Sequence, residues 1–315
     1  MHFLITGARG FLGRAVCRAL LDRGHRVRAV TSSDAVGQEG LELVRVGYDA
    51  VSPAAWQAAC EGVEVIIHLG ARAHVLNEPE GDLDAIYQRA NTHTTLALAQ
   101  AALAAGVRRL VFVSSIGVLG SSTGREPFTE KSEPRPHSPY ARSKHLAEQG
   151  LRDLLQGSAL ELTIIRPPLV YGPGAPGNFG ALARAVARGW PLPLGAVHNR
   201  RSLVGLGNLV DFIVLCGVHP EAAQQTFLVS DGPDLSTTEL LRGMAQAAGV
   251  RLWLVPVPAG CLRAAAALVG QGDALQRLCG NLQVDSSKAR QVMGWVPPLT
   301  VAEGLKQAMA SSETS

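Results

Sequence analysis

Short runs of apolar and β-branched residues alternate with longer helical patterns through the first half of the chain, and this alternation most strongly limits its possible folds. The runs, which we expect to be strands, cover residues 2–6, 27–31, 43–47, 63–69, 110–114 and 162–165. The helical patterns between them cover residues 12–23, 53–60, 83–105 and 139–155. Strands separated by helices of this length form parallel sheets with right-handed crossovers. The pattern therefore predicts an α/β fold with a Rossmann-type, doubly wound parallel sheet.

The composition changes after residues 166–168, where a glycine- and proline-rich stretch at 171–177 permits neither a helix nor a central strand. Beyond it, strand patterns mix with helical ones, and we expect a smaller α+β C-terminal lobe. The strand patterns cover residues 202–206, 226–230 and 252–257, and the helical patterns cover residues 208–217, 237–248 and 302–310. The predicted division is a first domain of residues 1–167 with a return segment at about 200–230, and a second lobe of residues 168–199 and 231–315.

Composition excludes several classes of protein. The chain of 315 residues carries 29 Lys and Arg against 26 Asp and Glu, and a net charge of +3 does not indicate a nucleic-acid binder. Its five cysteines show no C-x-x-C spacing, so we expect reduced thiols. We also expect a cytoplasmic protein without a leader sequence. Its nine histidines form no H-E-x-x-H motif or Cys/His cluster, so we expect no metal site.

The most apolar stretch covers residues 259–269 and includes Arg263. It has about half of the roughly 20 residues that a membrane-spanning helix needs. We therefore expect it to pack on the second lobe, without insertion into a membrane.

A glycine loop follows the first predicted strand directly. Gly7, Gly10 and Gly13 lie between Thr6 and a helical pattern, in the spacing G-x-x-G-x-x-G. A dinucleotide-binding loop needs this strand-to-helix context, because glycines let the backbone approach a pyrophosphate at the start of the helix. The spacing differs from the commoner G-x-G-x-x-G, and a structural turn without a ligand is the alternative.

The end of the second predicted strand bears on the choice of nicotinamide cofactor. An acidic residue there would bind the ribose hydroxyls of NAD(H), but the strand ends in Thr31 and Ser32. Arg9 in the glycine loop can pair with a phosphate, whereas the nearby Asp34 opposes an extra negative charge. The pattern slightly favours NADP(H) over NAD(H) and leaves both open.

Tyr140 and Lys144 are the candidate catalytic pair. They are four residues apart in a predicted helix, so they share one face with their Cβ atoms about 5–6 Å apart. A free phenol has a pKa of about 10 and needs a nearby cation to act near neutrality. Lowering that pKa by about three units requires roughly 4 kcal/mol, which a close lysine can supply in a partly dry site. Taken alone, the spacing also fits an ordinary surface pair.

Ser114 and Ser115 follow the strand pattern 110–114 at the carboxyl edge of the predicted sheet, where ligands bind in such folds. A hydroxyl there can hydrogen-bond the reacting oxygen of a substrate. A simple strand-end turn is the alternative. Because the glycine loop occurs together with these residues, we predict that Ser115, Tyr140 and Lys144 are catalytic.

In combination these motifs resemble the extended short-chain dehydrogenases/reductases, the family of nucleotide-sugar epimerases, dehydratases and reductases, over nearly the whole chain. The resemblance implies that the first domain binds NAD(P), that Asp49 contacts adenine, and that Lys144 holds the nicotinamide ribose. It also implies a homodimer built on the helices of Asn91 and Tyr140. The other residues that it implies for the cofactor are Gly7, Arg9, Gly10, Phe11, Leu12, Gly13, Thr31, Ser32, Ala50, Leu69, Gly70, Ala71, Asn91, Tyr140, Pro167 and Leu169.

The same resemblance implies a UDP-sugar in the second lobe, with Asn178 and Arg201 on its diphosphate and Leu194 near its base. An Arg fork suits phosphate oxygens, although an ordinary solvated basic pair at residues 200–201 is the alternative. Ser115 and His74 are the candidates for contact with the sugar, although a lone histidine after a strand is more often structural.

Two departures from the family pattern narrow the expected reaction. Ser115 is followed by Ile116 and Gly117 where dehydratases of the family carry Asp and Glu, which argues against loss of water. Leu169 stands where hexose 4-epimerases often carry Asn, which weakens epimerisation without excluding it. Residues 166–172, 199–203 and 227–232 are similar to bacterial enzymes that reduce UDP-4-keto-6-deoxy-N-acetylhexosamines for surface polysaccharide such as O-antigen.

We therefore expect an NAD(P)H-dependent 4-ketoreductase in which Tyr140 donates the proton, Ser115 orients the oxygen and Lys144 tunes Tyr140. An NAD-dependent UDP-hexose or N-acetylhexosamine 4-epimerase is the first alternative. A non-catalytic NADP(H) sensor on the same fold would lack Tyr140 and Lys144. A serine hydrolase is disfavoured because Ser115 has no G-x-S-x-G motif around it.

Overall fold

A seven-stranded, wholly parallel sheet forms the centre of the protein, as seen in a computed structural model that describes residues 1–31, 40–47, 52–73, 81–258, 260–262, 264 and 272–310. Its strands are β1 His2–Thr6, β2 Arg26–Thr31, β3 Leu41–Arg45, β4 Val65–His68, β5 Arg109–Val113, β6 Glu161–Arg166 and β9 Gln225–Leu228. The strand order is β3-β2-β1-β4-β5-β6-β9, which confirms the predicted Rossmann-type sheet.

Helices cover both faces of this sheet. Side chains alternate across a strand, so Phe3 and Ile5 enter one hydrophobic core while Leu4 enters the other. The first core is closed by α1 (Phe11–Asp22) and α7 (Leu206–Val218). The second is closed by α2 (Pro53–Cys60), α4 (Thr94–Ala104) and α5 (Pro139–Leu155). Such double coverage explains why β1, β4 and β5 are buried throughout and apolar at most positions.

The helix predicted over residues 83–105 contains an irregular section. It consists of α3 (Leu83–Tyr87), a π-helical segment (Gln88–His93) and then α4. A π segment changes the direction of side chains within a continuous helix and occurs often at functional sites. Here it carries Asn91, which is buried beside α5.

The second lobe packs helices against a small two-stranded parallel sheet, which agrees with the predicted α+β lobe. The sheet pairs β7 (Leu169–Tyr171) with β8 (Leu203–Gly205). The helices are α6 Gly177–Ala187, α8 Thr237–Ala248, α9 Gly272–Cys279, α10 Ser287–Met293 and α11 Val301–Ala310. The hydrophobic core of this lobe contains side chains from several of these helices, packed around Tyr171. The residue boundaries between the two lobes stay a prediction.

The strand predicted over residues 252–257 is wrong. Only one isolated bridge forms there, between Leu192 and Leu254. Pro256 and Pro258 lack the backbone N–H groups that a longer ladder would need. The apolar alternation of this segment therefore reflects its position against the second lobe and not a strand.

Candidate active site

The glycine loop of residues 7–13 has no room for side chains at two of its three glycines. Gly7 has φ of +66°, and a Cβ on it would lie 2.8 Å from the backbone nitrogen of Gly70. A Cβ on Gly13 would lie 2.0 Å from the carbonyl oxygen of Gly7. Gly10 is the N-cap of α1 and has no side chain to bind the first N–H groups of the helix. The loop therefore presents backbone N–H groups and a helix dipole, the donors that hold a pyrophosphate.

A buried hydrogen-bond chain fixes the loop after β4 against this glycine loop. Thr6 Oγ1 accepts hydrogen bonds from the N–H groups of Leu69 (3.1 Å) and Gly70 (2.9 Å), and it lies 2.5 Å from His68 Nδ1. His68 Nε2 lies 2.8 Å from Thr95 Oγ1 in α4. Burial, with a smaller effect of Lys144, lowers the pKa of His68 to about 3, so the imidazole is neutral. The predicted cofactor residues 69–70 are thus held rigidly beside Gly7.

Asn91 connects the same loop to the helix of the candidate catalytic pair. Its Oδ1 accepts the Arg72 N–H at 2.7 Å, and its Nδ2 donates to the Arg72 carbonyl at 3.1 Å and to Ser143 Oγ at 2.9 Å. Ser143 Oγ in turn donates to the Tyr140 carbonyl at 2.8 Å. These contacts make Asn91 a positioning residue, and its predicted contact with a cofactor stays a prediction.

Ser115 and the start of α5 meet at the carboxyl edge of β5. Ser115 caps a short 3-10 turn and its Oγ accepts the Gly117 N–H at 3.1 Å. A Cβ built on Gly117 would lie 3.3 Å from Ser115 Oγ and 3.5 Å from Ala141 Cβ, so the serine hydroxyl is close to the residue that follows Tyr140. The start of α5 is fixed by the side chain of Ser138, which accepts the Ala141 N–H at 3.2 Å. Ser115 and Tyr140 therefore share one edge of the sheet.

Lys144 lies one turn after Tyr140 and is fully buried, with Nζ 4.0 Å from the centre of the Phe112 ring. Burial lowers the pKa of Lys144 to about 7, against an opposing effect of Glu148. Burial also raises the pKa of Tyr140 to about 12, and the nearby Tyr87 adds a smaller effect in the same direction.

The prediction that Lys144 lowers the pKa of Tyr140 is therefore not met by the protein alone. Removal of both side chains from water dominates, since desolvation disfavours phenolate and ammonium alike. Tyr140 is a protonated phenol in this environment, and the ammonium of Lys144 contacts an aromatic face.

Glu148 is a residue of the site that the sequence analysis missed. It lies one further turn along α5 and is fully buried with Arg166 at the end of β6, joined by contacts of 2.9 Å (Nε to Oε1) and 2.5 Å (Nη2 to Oε2). Ser114 Oγ donates to Glu148 Oε1 at 2.6 Å. The signal in the sequence was a carboxylate four residues after Lys144 on the same helix face. This bridge holds α5, the end of β5 and the end of β6 together.

Tyr87 packs against Tyr140 from α3. The two rings meet edge to face with centres 6.4 Å apart, and the Arg72 guanidinium lies 5.6 Å from the centre of the Tyr87 ring. Arg142 donates two hydrogen bonds of 2.8 Å to the Asp84 carboxylate, and these bonds fix α3 against α5. The sequence analysis assigned no role to Tyr87, Arg72, Arg142 or Asp84.

The predicted substrate residues are spread over the second lobe. Arg201 is partly buried and its Nη1 donates to the Gly280 carbonyl at 2.8 Å, while burial lowers its pKa. Asn178 is exposed in the first turn of α6. Leu194 is buried in the core of the lobe, and its carbonyl accepts from Thr238 Oγ1 at 2.6 Å. The structure gives Leu194 a packing role, and the predicted contacts of all three with a substrate stay predictions.

The remaining predicted residues divide into two groups. Ser32, Asp49, Ala50 and His74 lie outside the described residues. The others lie around the glycine loop, after β2, β4 and β6, and at the start of β7. They are Arg9, which is exposed; Phe11 and Leu12 at the start of α1; Thr31, buried at the end of β2; Ala71, exposed after β4; Pro167, buried after β6; and Leu169 at the start of β7. Within the described part of the chain, no cluster of His, Cys, Asp or Glu suits a metal ion, and no helix is long and apolar enough to span a membrane.

Comparisons with known proteins agree with this geometry. Residues 3–229 match the profile of the NAD dependent epimerase/dehydratase family. The UDP-glucose 4-epimerase of Vibrio cholerae is 40% identical over 96% of this chain and 93% of its own length. The 2-alkyl-3-oxoalkanoate reductase of Stenotrophomonas maltophilia is 29% identical over 99% of both chains. A short-chain dehydrogenase/reductase superfamily protein from Agrobacterium tumefaciens, solved with bound NAD, has a TM-score of 0.77 and 25% identity, covering 99% of this chain and 97% of that chain.

The parallel sheet and the glycine loop at the start of α1 define a Rossmann-type fold of the kind that binds dinucleotides. The chain belongs to the NAD dependent epimerase/dehydratase family. The Agrobacterium tumefaciens neighbour was solved with NAD, and the slight sequence preference for NADP(H) finds no support in these relatives. The relatives also favour the epimerase over the reductase that the sequence analysis put first.

Proposed function

We propose that the protein is an NAD-dependent UDP-sugar 4-epimerase. The observation that carries the proposal is the convergence of Ser115, Tyr140 and Lys144 on the sheet edge that also holds the glycine loop. The UDP-glucose 4-epimerase that is 40% identical over nearly the full chain supports the choice of reaction and of a UDP-sugar substrate.

The glycine loop is the proposed holder of the cofactor. Gly7 and Gly13 are packed so closely that a Cβ would collide, and the first N–H groups of α1, which no side chain caps at Gly10, are the proposed donors to phosphate. Leu69 and Gly70 line the same loop through their bonds to Thr6. When bound, NAD(H) supplies a hydride acceptor and donor.

Tyr140 moves the proton in this proposal. The charges of Lys144 and of a bound oxidised nicotinamide would favour its phenolate, which would take the proton of the sugar C4 hydroxyl as the ketone forms and return it to the C4 oxygen as the ketone is reduced. Ser115 Oγ donates a hydrogen bond to that oxygen and holds it in place. Lys144, charged below its pKa of about 7, makes the phenolate less unfavourable in a buried site. Arg201 is the proposed partner of the substrate diphosphate, because a guanidinium suits paired phosphate oxygens.

A 4-ketoreductase is the second candidate, and Leu169 is the observation that favours it. It stands where hexose 4-epimerases often carry Asn, and it lies at the start of β7, two residues after Pro167. A reductase among the relatives shows that the same family also reduces ketones. The two candidates differ in cofactor use, since an epimerase regenerates its cofactor in each cycle and a reductase consumes one equivalent per product.

The test incubates purified protein with UDP-glucose or UDP-N-acetylglucosamine and sub-stoichiometric NAD and follows the C4 epimers by chromatography. We expect many turnovers per cofactor. Tyr140→Phe should lose at least about 100-fold in kcat, the usual contribution of a positioned acid or base. Tyr171→Phe is the matched control, because it removes a buried hydroxyl bonded to Asp231 at 2.6 Å outside this site. Consumption of one NAD(P)H per 4-keto sugar, without epimer formation, would establish the reductase instead.

A further inference from the structure

Two tryptophans are exposed at one edge of the second lobe. Trp190 is 54% exposed and Trp253 57% exposed, and nearby Val255 is 48% exposed. The other two tryptophans, Trp56 and Trp295, are buried. A cluster of large apolar side chains in water is unfavourable and indicates an interaction surface.

These residues belong to two segments that are hydrogen-bonded to one another. The Leu192 N–H donates to the Trp253 carbonyl at 2.9 Å, and the Val255 N–H donates to the Leu192 carbonyl at 2.9 Å. The Gly195 N–H donates to the Val255 carbonyl at 3.0 Å. The backbone pairing sets residues 190–195 beside residues 253–255, and we name the exposed side chains of Trp190, Trp253 and Val255 the tryptophan edge.

Two arginines lie against the tryptophan edge. The Arg188 guanidinium lies 5.2 Å from the centre of the Trp190 ring, and that of Arg251 lies 5.0 Å from the centre of the Trp253 ring. Both arginines are exposed. The sequence has no Asp or Glu in residues 162–210 or in residues 240–272, so neither segment supplies a neutralising carboxylate.

We propose that the tryptophan edge docks on the surface of an anionic lipid bilayer. Tryptophan rings prefer the headgroup level of a membrane, and exposed arginines are attracted to acidic headgroups. A second copy of this chain fits the edge less well, because a symmetric contact would bring the Arg188 and Arg251 pairs of the two copies together. The docking is peripheral and goes beyond the proposed function, which it neither requires nor changes.

Intrinsic fluorescence tests the docking directly, because the exposed tryptophans dominate any response to added lipid. The full chain is mixed with vesicles of phosphatidylcholine alone or of phosphatidylcholine with phosphatidylglycerol. We expect a blue shift and co-sedimentation only with the anionic vesicles, both weakened by high salt. Arg188→Gln and Arg251→Gln should each weaken partitioning about five-fold. Trp190→Ser with Trp253→Ser should abolish co-sedimentation with the anionic vesicles.

Matched controls lie elsewhere on the surface. Val296 is 53% exposed outside the tryptophan edge, and Arg18 is exposed on α1. Val296→Ser and Arg18→Gln should bind vesicles like the original chain. Equal sedimentation with neutral and anionic vesicles, no binding to either, or equal losses in the controls would overturn the proposal. A change of oligomeric state in the tryptophan variants, without a change in vesicle binding, would assign the edge to self-association instead.

Discussion

The bridge between Glu148 and Arg166 offers the sharpest test of how the candidate site is held together. Glu148→Gln keeps the size of the side chain but removes its charge, which leaves the buried Arg166 guanidinium without its carboxylate. Arg166 Nη1 is already a buried donor without a hydrogen-bond partner, so it cannot compensate. Because the bridge joins α5 to the ends of β5 and β6, we expect both stability and activity to fall.

The expected loss of stability follows from burial. Removing one partner of a buried ion pair costs about 3–5 kcal/mol. Unfolding entropy of about 2.1 cal/mol/K per residue gives roughly 0.7 kcal/mol/K for a chain of 315 residues. A loss of about 3 kcal/mol then lowers the Tm by about 4–5 °C.

The effect of the substitution depends on pH in a defined direction. Burial raises the pKa of Glu148, but the hydrogen bond and charge of Arg166, together with Ser114, lower it by more, so the folded pKa lies below its ordinary value. The carboxylate therefore stabilises the protein above the unfolded pKa of about 4.3, and this contribution is lost as the pH falls through the folded pKa. The difference between Glu148→Gln and the original chain should be full at pH 7 and shrink below about pH 4.

Thermal unfolding by circular dichroism at several pH values measures this difference. Glu133→Gln is the matched control, because its partner Arg135 is exposed and such surface pairs contribute about 0–1 kcal/mol. If Glu148→Gln lowered the Tm no more than Glu133→Gln at pH 7, the bridge would not hold the site together. A difference that did not depend on pH would refute the assignment to the ionised carboxylate.

The other predictions concern the pair and the loop. Lys144→Met should abolish turnover yet raise the Tm at pH 7 and below. Burial lowers the pKa of Lys144 to about 7, so the original chain gains stability from this group only as the pH rises from 7 towards 10.5. A lower Tm of the variant in neutral buffer would contradict this. Gly7→Ala should lose NAD binding by isothermal titration, since its Cβ would meet the Gly70 backbone at 2.8 Å, whereas Gly157→Ala, with open space around it, should keep binding. Asn91→Ala should lower kcat through the orientation of α5, with NAD affinity changed less than in Gly7→Ala.

Much of the fold could be predicted because local signals agreed with the global arrangement. The beginning of α5 is explained by Ser138 as N-cap and Pro139 at the first position, and the structure reproduces the predicted bounds of residues 139–155. The π segment at residues 88–93 was not predictable, because its apolar pattern is compatible with a continuous α-helix. The beginning of α6 at Gly177 was also missed, since it follows a stretch rich in glycine and proline.

The candidate site was predicted in its chemistry but not in its supports. Tyr140, Lys144 and Ser115 are short-range motifs, and the contacts of α5 with the turn after β5 bring the helix of Tyr140 and Lys144 to the sheet edge of Ser115. Glu148 and Arg166 come from different elements, and only the packing of α5 on β6 joins them. The raised pKa of Tyr140 likewise depends on the burial that tertiary packing creates. Exposure of the tryptophan edge is a tertiary property for the same reason.

The most direct test of the central claim follows deuterium placed at C4 of UDP-glucose. The purified protein with sub-stoichiometric NAD should convert it to UDP-galactose that keeps the label at C4, because the same hydrogen leaves and returns while Tyr140 handles only the hydroxyl proton. Mass spectrometry and NMR of the product measure the retained label. A product epimer that had lost its deuterium to solvent would contradict the account. So would labelled epimer that Tyr140→Phe formed at the same rate as the original chain.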